Sequence, residues 1–256
     1  MTTASFINGL REGARGMGER VFLLTDALRD GFRRPSEFRS ILTQINEIGV
    51  RSLPIVVASS FFVGMVLAVQ VAYSKANFAG RVMVGIGVSV AITKEFGPLL
   101  TALLVGGRVS AGITSVIGSM AVTEQVDAIK LLGATPSKKL VFPRLIATLV
   151  ALPLLTAIAD GVGIFGGLVV SLVDIKMSLA TYMSQVQRSV ALADFYGGML
   201  KAFVFALFIA IIGCYNGLKV EGGSEGVGMA TTRSVVQSSI SIMILDFFLT
   251  KLLVIL

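Results

Sequence analysis

The sequence of 256 residues contains no histidine, no tryptophan and a single cysteine, Cys214. Without histidine, a histidine-based catalytic triad and a zinc site built from His and Cys are both excluded. One cysteine allows no disulfide within the chain, and its apolar surroundings predict a small buried hydrophobic residue. We therefore expect no catalytic residue and no metal site in this chain.

Charged residues are also scarce. They make up 14% of the chain, against about 25% in a soluble domain. Hydrophobic residues make up 54% of the chain, and the mean hydropathy is +0.86. This composition excludes a disordered chain and an ordinary cytosolic enzyme. The net charge is +7, but the basic residues lie between apolar blocks rather than in one patch, so nucleic acid is not an expected partner.

Five apolar blocks are long enough to cross a bilayer, which requires about 20 residues each. These blocks are residues 52–74, 96–123, 145–173, 195–218 and 234–256. Residues 82–93 are apolar but too few to span alone, so they are either re-entrant or an extension of the second span. The sequence predicts an all-α integral membrane protein with five transmembrane helices.

Residues 1–51 form a separate N-terminal region ahead of the membrane domain, residues 52–256. Apolar side chains recur there at helical spacing opposite charged ones, and Pro35 interrupts the pattern. This pattern is typical of an amphipathic helix that lies on the membrane surface, with a break. A soluble helical hairpin packed on another subunit is the alternative.

Lysine and arginine are unevenly divided between the connecting segments. If the N-terminus is inside, the inner segments 1–51, 124–144 and 219–233 hold 14 of them, and the outer segments 75–95 and 174–194 hold 5. Loops on the cytoplasmic side carry an excess of basic residues. The distribution predicts a cytoplasmic N-terminus and a C-terminus on the outer side.

Charges inside the spans are informative because each costs about 2.5–3.5 kcal/mol at the bilayer centre. The outer half of the predicted bundle contains three such charges, Lys201, Asp246 and Lys251, and Lys94 and Glu95 lie at the outer end of the second span. They either line a cavity for a polar headgroup or form structural ion pairs, for instance Lys201 with Asp246. Arg108 and Asp160 lie nearer the middle of the membrane and are a second candidate pair.

Small residues recur at every fourth position in two spans. They are Gly107, Ala111, Ser115 and Ser119 in the second span, and Gly163 and Gly167 in the third. In lipid, such stripes let helices approach closely. The stripes predict close packing, either within the chain or across a dimer interface.

The loop after the second span reads as a short capped helix. Thr123 is the predicted N-cap, and Glu124 and Asp127 lie in the first turn, where carboxylates suit the helix dipole. Gly133 and Pro136 end the helix. On the cytoplasmic side, such a helix is either a docking surface for a partner or an idle interfacial helix.

A nucleotide-binding P-loop needs a Gly-Lys-Ser/Thr sequence, and none of the lysines here follows a glycine. We therefore do not expect this chain to be an enzyme. Any ATP-driven step would need another chain.

Several stretches resemble the signature of a known family. They are EFGPLLTALLVGGRVSAG from Glu95, GSMAVTEQVDAI from Gly118, GATP from Gly133, GVGMATTRSVV from Gly226 and LDF from Leu245. In order and spacing this sequence resembles the MlaE/YrbE permeases, the membrane subunits of Mla- and Mce-type ABC transporters.

The resemblance implies a homodimeric permease in the inner membrane of a Gram-negative bacterium. It implies ATP-driven transport of a lipid, usually a phospholipid, that maintains outer-membrane lipid asymmetry. The implied partners are a cytoplasmic ABC ATPase that binds the ATP, a small cytoplasmic accessory subunit and a periplasmic MCE-domain hexamer. No cofactor is implied for this chain itself.

The resemblance also implies roles for particular residues. Positions matching the family's lipid cavity are Lys94, Glu95, Lys201 and Asp246. The loop that matches the family's coupling helix, within residues 123–136, contains Glu124, Gln125, Asp127, Gly133 and Pro136. The alternative is a carrier or lipid scramblase that needs no ATPase. A secondary carrier would usually show paired internal repeats, and no clear repeat is present.

Overall fold

The structure, a computed structural model, describes residues 3–31, 38–73 and 83–255, with backbone only for residues 3–15 and residue 30. The described residues are helical and contain no strand. Ten α-helices follow one another: α1 (Thr3–Gly31), α2 (Phe38–Ile48), α3 (Leu53–Tyr73), α4 (Val84–Ala91), α5 (Gly97–Val122), α6 (Gln125–Leu131), α7 (Phe142–Val173), α8 (Leu179–Ser189), α9 (Leu192–Leu218) and α10 (Gly223–Ile255).

Five helical segments are long and apolar enough to cross a membrane, which confirms the predicted fold class. They are Phe38–Tyr73, Val84–Val122, Ser137–Val173, Leu192–Leu218 and Gly223–Ile255. Short turns join the helices inside three of them: a 3₁₀ turn, Val50–Ser52, and two π turns, Ile92–Phe96 and Ser137–Val141. The second span therefore includes residues 84–93, so this segment extends the span and is not re-entrant.

The N-terminal region divides into two helices. The predicted break at Pro35 lies outside the described residues, and α2 continues through the 3₁₀ turn into α3. Ala27 of α1 is fully buried, and Leu24 and Leu28 pack against a small apolar cluster around Leu145. Phe22 remains 67% exposed on the other side of α1. This division into packed and exposed apolar faces suits a helix at a membrane interface.

Glycines allow a close backbone contact between two spans, where α3 meets α7. A Cβ on Gly64 would lie 1.9 Å from the carbonyl oxygen of Gly163, and one on Gly166 would lie 2.2 Å from that of Phe61. Real Cβ atoms do not approach so closely, so only glycine permits this packing. The predicted role of Gly163 in close packing is thereby confirmed.

In the second span, the tight contact uses positions one residue before the predicted stripe. Ser110 and Thr114 of α5 are buried against α9, and the Thr114 hydroxyl donates to the carbonyl oxygen of Gly213 at 3.0 Å. The predicted stripe is less buried, and Ser119 is exposed. Within one chain, the α5–α9 contact therefore does not explain the Gly107–Ser119 stripe.

Candidate functional site

A π turn in the second span positions two charged residues. Ile92–Phe96 forms this turn, and the N–H of Gly97 donates to the carbonyl oxygen of Ile92, five residues earlier. Pro98 follows and has no N–H, so it cannot donate to the carbonyl of Lys94 as an α-helix requires. The α-helical hydrogen bond to the Lys94 carbonyl is therefore missing.

Lys201 of α9 fills this gap. Its side chain is only 2% exposed. Its ammonium Nζ donates to the carbonyl oxygen of Lys94 at 3.1 Å, to Oε2 of Glu95 at 2.7 Å and to the hydroxyl of Thr250 at 2.7 Å. A lysine ammonium has three N–H donors, and these three acceptors use all of them.

Asp246 completes the charged cluster by electrostatic contact. Its Oδ1 lies 3.2 Å from Nζ of Lys201 but makes no hydrogen bond within the described part of the chain. The explanation is that the three ammonium protons already point at other acceptors. Thr250 also donates to Glu95, at 3.1 Å. One cation thus faces two carboxylates.

A second ion pair lies beside this cluster, nearer the surface. Nζ of Lys94 is 3.0 Å from Oδ1 of Asp194, with their side chains 49% and 20% exposed. A cavity of about 340 Å³ is lined by Lys94 and Asp194 and by Glu95 and Lys201 of the cluster. Its other walls are Gly197 and Gly198 of α9 and the apolar side chains of Leu253 and Val254 of α10. A polar floor with apolar walls can accept a charged headgroup and the start of an acyl chain.

Glycine also controls how closely α9 approaches the π turn. A Cβ on Gly198 would lie 2.6 Å from the carbonyl oxygen of Thr93, whereas one on Gly197 would meet only Leu253, at 3.4 Å. Gly198 is one turn before Lys201 on the same helix, so its close approach brings the ammonium within reach of the Lys94 carbonyl.

At the opposite end of the second span lies the predicted coupling loop. α6 begins at Gln125, and Asp127 in its first turn pairs with Lys130 at 2.8 Å. Thr123 is not the N-cap, because its hydroxyl donates back to Ser119 of α5 at 2.9 Å. Glu124 occupies the N-cap with φ +59°, a left-handed conformation, and without a capping hydrogen bond.

The predicted end of this helix is present. Gly133 has φ +74°, which favours glycine, and its N–H donates to the carbonyl oxygen of Lys130 at 3.0 Å. Pro136 lies directly before the π turn that begins the third span. Val126 is buried, but Leu131 and Leu132 are 89% and 85% exposed. Two adjacent leucines that are so exposed are typical of a surface that another protein covers.

The candidate pair of Arg108 and Asp160 does not form. Nη1 of Arg108 donates to the hydroxyl of Ser52 at 2.6 Å. Asp160 is buried against Gly97, where a Cβ would lie 1.7 Å from its Oδ1. Gly97 and Arg108 are eleven residues apart, roughly 16 Å along α5. The two charges therefore lie at different depths.

The structure brings Lys94, Glu95, Lys201 and Asp246 together, as the sequence predicted, and adds two residues. Thr250 was missed, although it lies four residues after Asp246 and so on the same helical face. Asp194 was missed because it precedes the apolar part of its span. Lys251, predicted for the same half of the membrane, is exposed and outside the cluster.

Comparison with known proteins decides the family. The profile of the family described as Permease MlaE matches residues 41–252. The chain is a member of the MlaE permease family. As such it is a multi-pass membrane permease of the ABC-transporter type.

Individual relatives cover nearly the whole chain. An ABC transporter permease protein of Rickettsia bellii is 38% identical over 93% of this chain and 92% of its own. A permease of the same description from Synechocystis is 40% identical over 84% of this chain and 82% of its own. The intermembrane phospholipid transport system permease protein MlaE of Haemophilus influenzae is 34% identical over 93% of this chain and 92% of its own.

Proposed function

We propose that this MlaE-family permease is the membrane subunit of an ATP-driven phospholipid transporter in the inner membrane of a Gram-negative bacterium, and that it maintains outer-membrane lipid asymmetry. The observation that carries the proposal is the buried Lys201 ammonium beside a half-apolar cavity. The phospholipid transport named for the Haemophilus influenzae relative supports the same substrate class.

The charge arrangement suits a headgroup that must be held and then released. A lysine ammonium binds phosphate as a compact point charge. Glu95 and Asp246 contact the same ammonium, so a lipid phosphate would compete with them. This competition keeps the bound lipid exchangeable, which transport requires.

The energy for transport would come from a separate ATPase docked on α6. Its carboxylates Glu124 and Asp127, together with Leu131 and Leu132, form a protruding surface with both charge and apolar area. Such a surface fits a cleft in a partner. We place it on the cytoplasmic side with the N-terminus, and the Lys201 cluster on the periplasmic side with the C-terminus, following the distribution of basic residues.

The remaining assembly follows from the family. We propose a homodimer, a periplasmic MCE-domain hexamer above the Lys201 cavity and a small cytoplasmic accessory subunit bound beside the ATPase. The last helix supports the dimer: α10 buries only Gly226, Ser234, Ser238 and Ile242, and its middle exposes a stripe of large apolar residues, Ile240, Met243, Ile244 and Phe247. A second copy could cover that apolar surface.

Lipid recovery from purified protein tests the substrate. The full chain, co-expressed with its ATPase, is purified in detergent, and bound phospholipid is measured by mass spectrometry. We expect Lys201→Met to lower the molar ratio of phospholipid to folded protein severalfold, while Lys201→Arg retains part of it. Lys251→Met is the matched control, since it removes an exposed cation from the same end of the bundle.

Equal phospholipid recovery from wild type and Lys201→Met would contradict the lipid-binding role. Coupling is tested separately in vesicles that contain the purified complex. Transfer of fluorescent phospholipid that does not depend on ATP would favour the scramblase alternative.

A further inference from the structure

A second, larger cavity lies at the opposite end of the bundle from Lys201. Its volume is about 620 Å³, and it is bounded by α1, the end of α9 and the beginning of α10. Lys219 beside it is eighteen residues from Lys201, roughly 27 Å along the helix axis. Gly118 near the end of α5 lies against Val220, so the cavity is at the same end as α6.

Three cations line this cavity: Arg20 from α1, Lys219 and Arg233. No carboxylate lines it within the part of the chain that the structure describes. Arg20 and Lys219 both contact the ring of Tyr215, with Cζ and Nζ at 4.9 and 4.8 Å from its centre. The ring thus holds two like charges close together, an arrangement that a bound anion would stabilise.

One carboxylate just outside the cavity neutralises part of this charge. Glu19 pairs with Lys219 and accepts a hydrogen bond from the Tyr215 hydroxyl at 2.8 Å. The hydrogen bond with Glu19 raises the pKa of Lys219 above its ordinary value, so Lys219 stays protonated at neutral pH. Two positive charges, Arg20 and Arg233, are left over.

Donors on these two arginines remain unused. Nη2 of Arg20 donates to Gln237 at 2.8 Å, but its buried Nε has no hydrogen-bond partner among the described residues. Arg233 is exposed and, in the same part of the chain, makes no hydrogen bond or ion pair. A buried donor without a partner is costly, and arginine donors match phosphate oxygens in geometry.

Exposed apolar side chains lie at or next to the lining residues of both α1 and α10. Met17 and Val21 of α1 are 68% and 60% exposed, and Met229 and Val236 of α10 are 61% and 50% exposed. These side chains would not stabilise a bound phosphate ion, whereas the acyl chains of a lipid would pack against them. The combination of unused cations and flanking apolar surface distinguishes a lipid phosphate from a soluble anion.

We propose that this cavity binds the phosphate of an anionic glycerophospholipid from the adjacent membrane leaflet, through Arg20, Lys219 and Arg233. The lipid is a structural ligand that joins α1 to α9 and α10. The site is separate from the Lys201 cavity and does not require transport.

Thermal unfolding of the purified full chain in detergent tests the proposal, with added phosphatidylglycerol, phosphatidylcholine or inorganic phosphate. We expect phosphatidylglycerol to raise the Tm of the wild type and the other two to have little effect. In Arg233→Gln, the phosphatidylglycerol concentration needed for half of the shift should rise about tenfold, since one charge-assisted contact is lost. Arg20→Gln should act in the same direction but is a weaker test, because Arg20 also packs on Tyr215.

Arg188→Gln is the matched control, because it removes an exposed arginine from α8, outside the cavity, and should respond like the wild type. An equal response of Arg233→Gln and wild type to phosphatidylglycerol would overturn the proposal. A response to inorganic phosphate alone would overturn the lipid assignment. Loss of ATPase co-purification from Arg233→Gln, without any lipid effect, would assign the cavity to an acidic segment of the ATPase instead.

Discussion

A single buried ammonium organises the outer cluster at the scale of residues. Lys201 is within 3.2 Å of a backbone carbonyl, a hydroxyl and two carboxylates. An ion pair buried in this way contributes little net stability, because desolvation offsets much of the attraction. Removing one partner nevertheless leaves the others as uncompensated charges.

A mutant cycle separates a structural role of this pair from lipid binding. We expect Lys201→Met alone to lower the free energy of unfolding by about 3–5 kcal/mol, because Glu95 and Asp246 lose their shared cation. Adding Asp246→Asn should restore part of this loss. Denaturant titration in detergent gives the stabilities, and lipid recovery is measured on the same samples.

If the double variant regains both stability and lipid recovery, the pair is structural and the lipid-binding role is wrong. If stability returns without lipid recovery, Lys201 has a function beyond folding.

The residues of this cluster show what the sequence can and cannot predict. Lys201 and Asp246 were predictable because charges inside apolar spans are rare, costly and therefore informative. Lys94 and Glu95 were predictable because they lie at the end of a span and match the family's cavity positions. Thr250 carries no such signal, since a hydroxyl in a membrane helix can bond to its own backbone. The open carbonyl of Lys94 is a backbone feature that composition does not reveal. The lipid-binding role of the four charged residues stays a prediction.

At the scale of elements, α9 can approach the π turn closely because residue 198 is a glycine. Gly198→Ala would place a Cβ 2.6 Å from the Thr93 carbonyl, a contact with backbone that cannot rotate away. We expect a loss of about 1–3 kcal/mol in the free energy of unfolding, typical of overpacking. Thermal unfolding and lipid recovery measure the effect.

Gly197→Ala is the matched control for this substitution. It makes the same chemical change one residue earlier but meets only the flexible Leu253 side chain. It should be neutral or slightly stabilising, since alanine favours helix. Equal stability of the two variants would show that close approach at Gly198 is not required.

The short helix α6 gives a second prediction at this scale. Replacing Leu131 and Leu132 by Asp should leave the fold intact, because both side chains are almost fully exposed. If α6 docks into the ATPase, co-purification of the ATPase should fall at least tenfold. Leu179→Asp on α8 is the control, since Leu179 is also exposed but lies on another helix. Unchanged ATPase recovery with the α6 variant would contradict docking at these leucines.

For the whole molecule, the number of spans was predictable, but their internal breaks were not. Hydropathy reports apolar length, so the five spans follow directly from the sequence. It does not report where a helix changes its winding, so the sequence leaves the role of residues 82–93 open. In the structure, α4, the π turn and α5 form one helix. The sequence also could not show which face of α5 makes the tight contact, because small residues occupy more than one face of that helix.

The orientation of the molecule can be tested by cysteine labelling in intact cells. Cys214 is fully buried and should not react, and Cys214→Ala removes it from the background. In that background we expect Thr181→Cys on α8 to react with a membrane-impermeant maleimide, and Lys130→Cys on α6 to react only after the inner membrane is permeabilised. The reverse labelling pattern would show that the proposed orientation is inverted.

The proline after the π turn has a consequence for mutagenesis. Residue 94 contributes two separate contacts: its backbone oxygen to Lys201 and its side chain to Asp194. Alanine at position 94 would remove only the second, because every amino acid supplies the same carbonyl. An alanine scan would therefore underestimate the contribution of residue 94. The substitution that affects its backbone contact lies four residues later, at Pro98. Pro98→Ala restores an N–H that can compete with Lys201 for the carbonyl oxygen.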